Sequence, residues 1–226
     1  MTRQCSGIIL EMRALADRSN LAGMARFGID TSSSLGLTTP AIREIARRTC
    51  PGKHKDQTLA EELWKTGIRE ARVLASLIAD PNAITRSTMD RWTRDLTSWD
   101  VCDACCCELF DRTPFIWQKI PKWAASPREF VRRAAFSTLA GAAVHRKGDP
   151  DRPFLDTLPL IEKYAFDERN FVRKAVNWAL RNIGKRNARL LPAAIACAER
   201  IRAQGTKSAR WIAADALREF RLKYGA

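Results

Sequence analysis

The sequence predicts an all-α fold built from stacked helix pairs, and three observations carry that expectation. Ala, Leu, Arg and Glu are abundant and runs of alternating β-branched residues are nearly absent, a balance that favours helix over strand. Turn-forming clusters recur at short intervals, leaving segments long enough for one helix each. Some of those segments resemble one another at a spacing of about 40 residues.

In chain order, residues 1–23 could add one variable N-terminal helix. The turn clusters are "TTP" at 38–40, "CPGK" at 50–53, "DP" at 80–81, "RTP" at 112–114, "KGDPDRP" at 147–153, "NIGKRN" at 182–187 and "QGTKS" at 204–208. Roughly a dozen helices fit between them. "REFVRRAAFSTLAG" (128–141) lies over "RNFVRKAVNWALRN" (169–182) at an offset of 41, so Phe130 meets Phe171 and Val131 meets Val172. "SARWIAADALREF" (208–220) is a fainter copy, and "IREARVLASLI" (68–78) has the same shape. A helical repeat of this length implies a right-handed α-solenoid of the HEAT or armadillo kind, with a concave basic face. No linker is long enough to separate domains, so residues 1–226 are expected to form a single repeat domain.

The 226 residues carry a net charge of 39 − 25 = +14, distributed unevenly. Residues 1–112 hold 16 basic and 15 acidic side chains, a net of +1, and residues 113–226 hold 23 and 10, a net of +13. A half this basic points to a polyanion, nucleic acid before membrane. No apolar run approaches the ~20 residues of a membrane span, and "GIIL" at 7–10 is too short for a signal-peptide core. A cytoplasmic protein is expected, nucleoid-associated when bound to DNA, and monomeric.

An approximate repeat register puts Arg72, Asp103, Arg133, Lys174 and Arg210 at corresponding points of successive inner helices, with spacings of 31, 30, 41 and 36. Asp103 is then the one acid in a row of bases. Trp99 stands four residues before Asp103, on the same helical face, and Trp178 stands four residues after Lys174. Indole faces attract cations and a nearby carboxylate adds Coulombic stabilisation, so Trp99, Asp103 and Trp178 suit a cationic aromatic ligand. Asp100 reads as the acid favoured by the dipole in a first turn, with Thr97 as N-cap.

Several motifs together resemble the AlkD-like DNA alkylation-repair glycosylases, which are built from HEAT-like repeats. They are "SWDVCD", "EFVRRAAF", "NFVRKAVNWALRNIGKRN", "GIREARVLASLIADP" and "SARWIAADALREF". The resemblance runs from about Met24 to Phe220. It implies hydrolysis of the N-glycosidic bond of cationic N3- or N7-alkylated purines in double-stranded DNA. Asp103 matches the catalytic aspartate, Trp99 and Trp178 the two pocket tryptophans, and Arg133 the arginine on the DNA backbone near the lesion. Lys174, Arg72, Arg210 and Arg173 are expected on the backbone as well. In this family the lesion need not be flipped into a pocket, unlike the general glycosylase pattern. Residues 1–23 match the family weakly, and relatives without excision activity bind branched or distorted DNA, which is the alternative reading.

The cysteines of "TSWDVCDACCCELF" (97–110) invite a metal, and their spacing argues against one. Cys102 and Cys105 form a C-x₂-C, but on a predicted helix. Cys105, Cys106 and Cys107 point about 100° apart and cannot converge on one ion. No metal and no cofactor is expected, and the thiols read as small packing residues. Cys106, three residues past Asp103, is the one that could share its face.

Overall fold

The computed structural model describes residues 1–224. Among them are thirteen α-helices, one short 3₁₀ turn and no strand. No helix is long and apolar enough to cross a membrane. The chain forms two compact units, Met1–Thr113 and Pro114–Ala226. Their boundary falls inside the "RTP" turn, at the step in charge.

In the first unit α1 (Arg3–Ala14) packs on α4 (Gln57–Lys65), α4 packs on α5 (Arg69–Ile78), and α3 (Thr39–Thr49) and α7 (Trp99–Glu108) flank α5. The helix starts follow from the sequence. Thr38, Asp56 and Thr85 cap α3, α4 and α6 (Arg86–Arg94), each accepting from a backbone N–H three residues on. Pro40 sits at the start of α3, where a missing N–H costs nothing. Trp64 of α4 and Trp92 of α6 stack face to face, 4.2 Å between centroids and 1° between planes. The N-terminal segment is firmly docked. Cys5, Ile8, Ile9 and Met12 of α1 are buried, and Thr2 hydroxyl and amide both donate to Glu62. A second helix, α2 (Ser19–Arg26), follows α1 and buries no residue.

The second unit is three helix pairs: α8 (Ile116–Ala124) with α9 (Glu129–His145), α10 (Arg152–Tyr164) with α11 (Asn170–Arg186), and α12 (Leu191–Ala203) with α13 (Lys207–Tyr224). Helices α9, α11 and α13 form one layer; α8, α10 and α12 pack as the other. Helices α9 and α11 are both 17 residues long and begin 41 residues apart, the offset of the sequence repeat. Repeat-equivalent residues touch: the Phe130 and Phe171 rings lie 5.7 Å apart. Each large side chain buried between the layers, such as Phe136, Phe154 or Phe220, contributes about 1.5–3 kcal/mol.

One turn signal reads differently in the structure. "NIGKRN" predicts a break, yet α11 runs on through Arg186. Gly184 is there for packing: a Cβ on it would lie 2.5 Å from the Phe220 ring of α13. The glycine admits the phenyl group, and the burial gained outweighs the ~1 kcal/mol of lost helix propensity.

Candidate active site

Helix α7 carries the first candidate residues. Its helical period sorts them cleanly. Val101, Cys102, Cys105 and Cys106 are buried, while Trp99, Asp100, Asp103, Cys107 and Glu108 are partly exposed. Trp99 and Asp103 therefore do share a partly open face, one turn apart. Cys107, four residues after Asp103, continues that face; Cys106 is on the buried side, contrary to the sequence expectation.

The indole of Trp99 is fixed. Its Nε1–H donates to the backbone carbonyl of Phe27 at 3.0 Å. The segment bearing Phe27 is held in turn by charge buried beneath it. Glu70 has no exposed surface and accepts from Ser34 Oγ at 2.6 Å, Leu35 N at 2.9 Å and Gly36 N at 3.0 Å. Arg69 pairs with Glu70 at 3.3 Å and donates through Nε to Asp100 at 2.6 Å. The other Asp100 oxygen accepts from Ser98 Oγ at 2.5 Å, and Ser98 Oγ accepts from Asp30 N at 3.2 Å. Gly36 lies at φ 81°, and a Cβ there would meet the Asp17 carbonyl oxygen at 2.0 Å, so only glycine fits this turn.

Asp100 is thus a first-turn acid, as its position predicts, and an ion-pair partner as well. The N-cap is Ser98 rather than Thr97, and its hydroxyl serves Asp100 instead of the helix N–H groups. The Arg69–Glu70–Asp100 network has no signature in the sequence beyond an acid at the start of an apolar helix, because Asp100 is 31 residues from Arg69 and the segment that Glu70 holds is 34 to 36 residues from it.

The sulfurs behave as packing groups. Cys102, Cys105 and Cys106 are fully buried. Cys105 Sγ lies 3.0 Å from Ser76 Oγ of α5, and burial pushes its thiol far above the ordinary range. Burial also raises Cys107, with Cys106 and Asp103 adding to the effect. No group of three or more His, Cys, Asp or Glu suited to a metal occurs among the described residues. A thiolate nucleophile is disfavoured at these positions.

The bases of the predicted row fall at the fourth or fifth residue of α5, α9, α11 and α13, as Asp103 does of α7. Their surroundings differ sharply. Arg72 donates to the Asp95 carbonyl at 3.1 Å and lies 5.2 Å from the centre of the Trp64 ring. Arg133 is 5% exposed and donates to the Phe171 carbonyl at 2.5 Å, tying α9 to α11. Arg133 is thus buried against a carbonyl of the next repeat, whereas Arg72 is half-buried. Lys174 and Arg210 are exposed. Arg173 is half-buried, with its guanidinium over the Trp211 ring. Trp178 is half-buried on α11, one turn beyond Lys174.

A helical-repeat protein with a tryptophan–carboxylate pair and a basic second unit is the class these features define. The chain matches the DNA alkylation repair enzyme family over residues 8–220 and belongs to that family. The match starts well before Met24 and takes in most of the N-terminal segment. A solved structure described as one of "a new family of proteins related to the HEAT-like repeat DNA glycosylases with affinity for branched DNA structures" superposes with a TM-score of 0.74, covering 86% of this chain and 82% of that one at 23% identity. At that identity the likeness establishes the HEAT-like fold. No curated protein matches the sequence.

Proposed function

We propose that the protein is a monofunctional DNA glycosylase that releases cationic N3- or N7-alkylated purines from duplex DNA. The observation that carries this reading is the pair on α7: a carboxylate on a partly open face, one turn from an indole locked by a hydrogen bond, in a chain of the alkylation-repair family. An alkylated purine already bears a positive charge. When its C1′–N bond breaks, the bonding electrons neutralise the ring, so no strong general acid is needed. What remains is positive charge developing on the sugar and a water to attack it. Asp103 stabilises that charge, orients the water and takes its proton on the way to solvent. Trp99 presents an electron-rich face to the cationic nucleotide, an attraction of about 0.5–2 kcal/mol. Lys174, Arg210 and Arg173 bind backbone phosphates. The test is release of 7-methylguanine or 3-methyladenine from methylated duplex DNA.

A second reading has its own support. The structure superposed above belongs to a family with affinity for branched DNA, so this chain would bind branched or distorted DNA without cleaving it. Tight binding to a junction with no base released would favour it.

A further inference from the structure

The second unit pairs many of its bases. Arg132 and Arg169 share Asp167; Arg181 and Lys185 hold Glu219; Arg186 and Arg189 reach Asp151; Arg200 binds Glu162. Arg173, Lys174, Lys207 and Arg210 differ. Among the described residues none of the four has a carboxylate within 4 Å. They gather on the opening turns of α11 and α13, and neither helix has an acid in its first turn. Beside them stands Trp211, 37% exposed. The Arg173 guanidinium lies 5.0 Å from its ring centre. Arg173 makes only a long 3.4 Å contact through Nη2, to Asn170, and its Nε is buried with no hydrogen-bond partner. Lys207 is one turn before Trp211 on the same face of α13. Ala214, exposed and three residues on, carries only a methyl group.

An exposed tryptophan, braced by Arg173 and with Lys207 one turn before it, neither in an ion pair, is poorly explained by packing, although Glu168 accepts from Ser208 N nearby at 3.0 Å. It has the chemistry of a platform for an unstacked nucleobase: the indole takes the base and the cations take the flanking phosphates. We infer that Trp211, with Arg173, Lys207 and Arg210, forms a stacking subsite for an unpaired DNA base. This rests on DNA being the partner and is independent of whether Asp103 cleaves. It would give the protein a preference for flaps, bulges and junctions over continuous duplex.

The test is fluorescence anisotropy with the full chain, using a flapped junction bearing unpaired thymines and a fully paired duplex of equal length. Trp211→Ala is expected to weaken binding to the flap about tenfold, to leave duplex binding within about twofold, and to leave the salt dependence unchanged, because stacking releases no counterions. Trp211→Phe keeps most of the flap affinity, and Trp211→Leu loses it although it restores apolar bulk. Lys207→Gln with Arg210→Gln weakens both DNAs and flattens the salt dependence. Equal loss on flap and duplex, or wild-type flap binding by Trp211→Leu, would overturn the subsite and make Trp211 a packing residue. Absence of base release with the flap preference intact would remove only the excision reading. Absence of any DNA binding at low salt would remove the DNA reading itself.

Discussion

In residues 1–113 the charges nearly balance, 16 basic to 15 acidic, and the most deeply buried of them face inward: Arg69 joins Glu70 and Asp100 beneath the segment that holds Trp99. In residues 114–226 the ratio is 23 to 10, most of the acids are held in ion pairs, and Arg173, Lys174, Lys207 and Arg210 are among the bases without a carboxylate partner. One unit buries charge to fix a geometry and the other leaves more of its charge at the surface. The proposed reaction at Asp103 needs neighbours held to a fraction of an ångström, a demand that buried partners in the first unit suit. A polyanion needs only cations within reach and tolerates their motion.

This contrast can be broken at its strongest point first. Glu70→Ala strands Arg69 beside a single partner and frees three donors of residues 34–36. The expected loss is about 3–5 kcal/mol of stability, read by chemical denaturation. Unchanged stability would mean the buried network holds nothing.

The second unit has its own charged joint in Asp167. Burial alone would raise this carboxyl, but hydrogen bonds from Arg169 and Arg132 outweigh it and hold it below its ordinary 3.8. A carboxyl depressed in the folded state contributes stability that is fully present above pH 3.8 and is lost as pH falls through the folded value. Acid denaturation of the wild type should therefore steepen below about pH 4, and Asp167→Asn should remove that steepening while lowering stability at neutral pH. An unchanged acid profile in the variant would show that the pair contributes nothing.

Smaller effects separate grip from geometry. Lys174→Gln should reduce the slope of log affinity against log salt by about 0.9 and weaken duplex binding uniformly across sequences. Arg133→Gln should instead lower the melting temperature and leave the salt slope in place, because its guanidinium serves the Phe171 carbonyl. The reverse pattern would return Arg133 to the DNA backbone. Smallest of all, Cys106→Ala should leave base release within about twofold and cost about 1 kcal/mol of stability; a large loss of release would show that Cys106 does more than pack.

Much of this was readable in the residues. The 41-residue offset became the helix starts of α9 and α11 and the contact between Phe130 and Phe171, because stacked repeats must bury equivalent positions against each other. The Trp99–Asp103 face followed from helical spacing alone. The fate of the arginines did not. Arginine has an apolar stem and a planar head that stacks on aromatics and caps carbonyls as readily as it binds phosphate. No spacing rule separates Arg133, buried against a carbonyl, from Arg210, left outside. Gly184 misled for a related reason: its partner, Phe220, is 36 residues away, and a packing glycine looks like a breaking one.

The central claim is that Asp103 carries the chemistry and the basic unit carries the binding. The most direct measurement takes wild type and Asp103→Asn together, scoring release of 7-methylguanine and 3-methyladenine from methylated duplex DNA and, in the same preparations, affinity for that DNA. The account predicts release that falls about 10²- to 10³-fold in the variant with affinity held within about twofold. Equal release by the two proteins, above the rate without protein, would contradict the role given to Asp103. No release by either, with tight binding to junctions, would contradict excision and leave a protein that reads DNA shape.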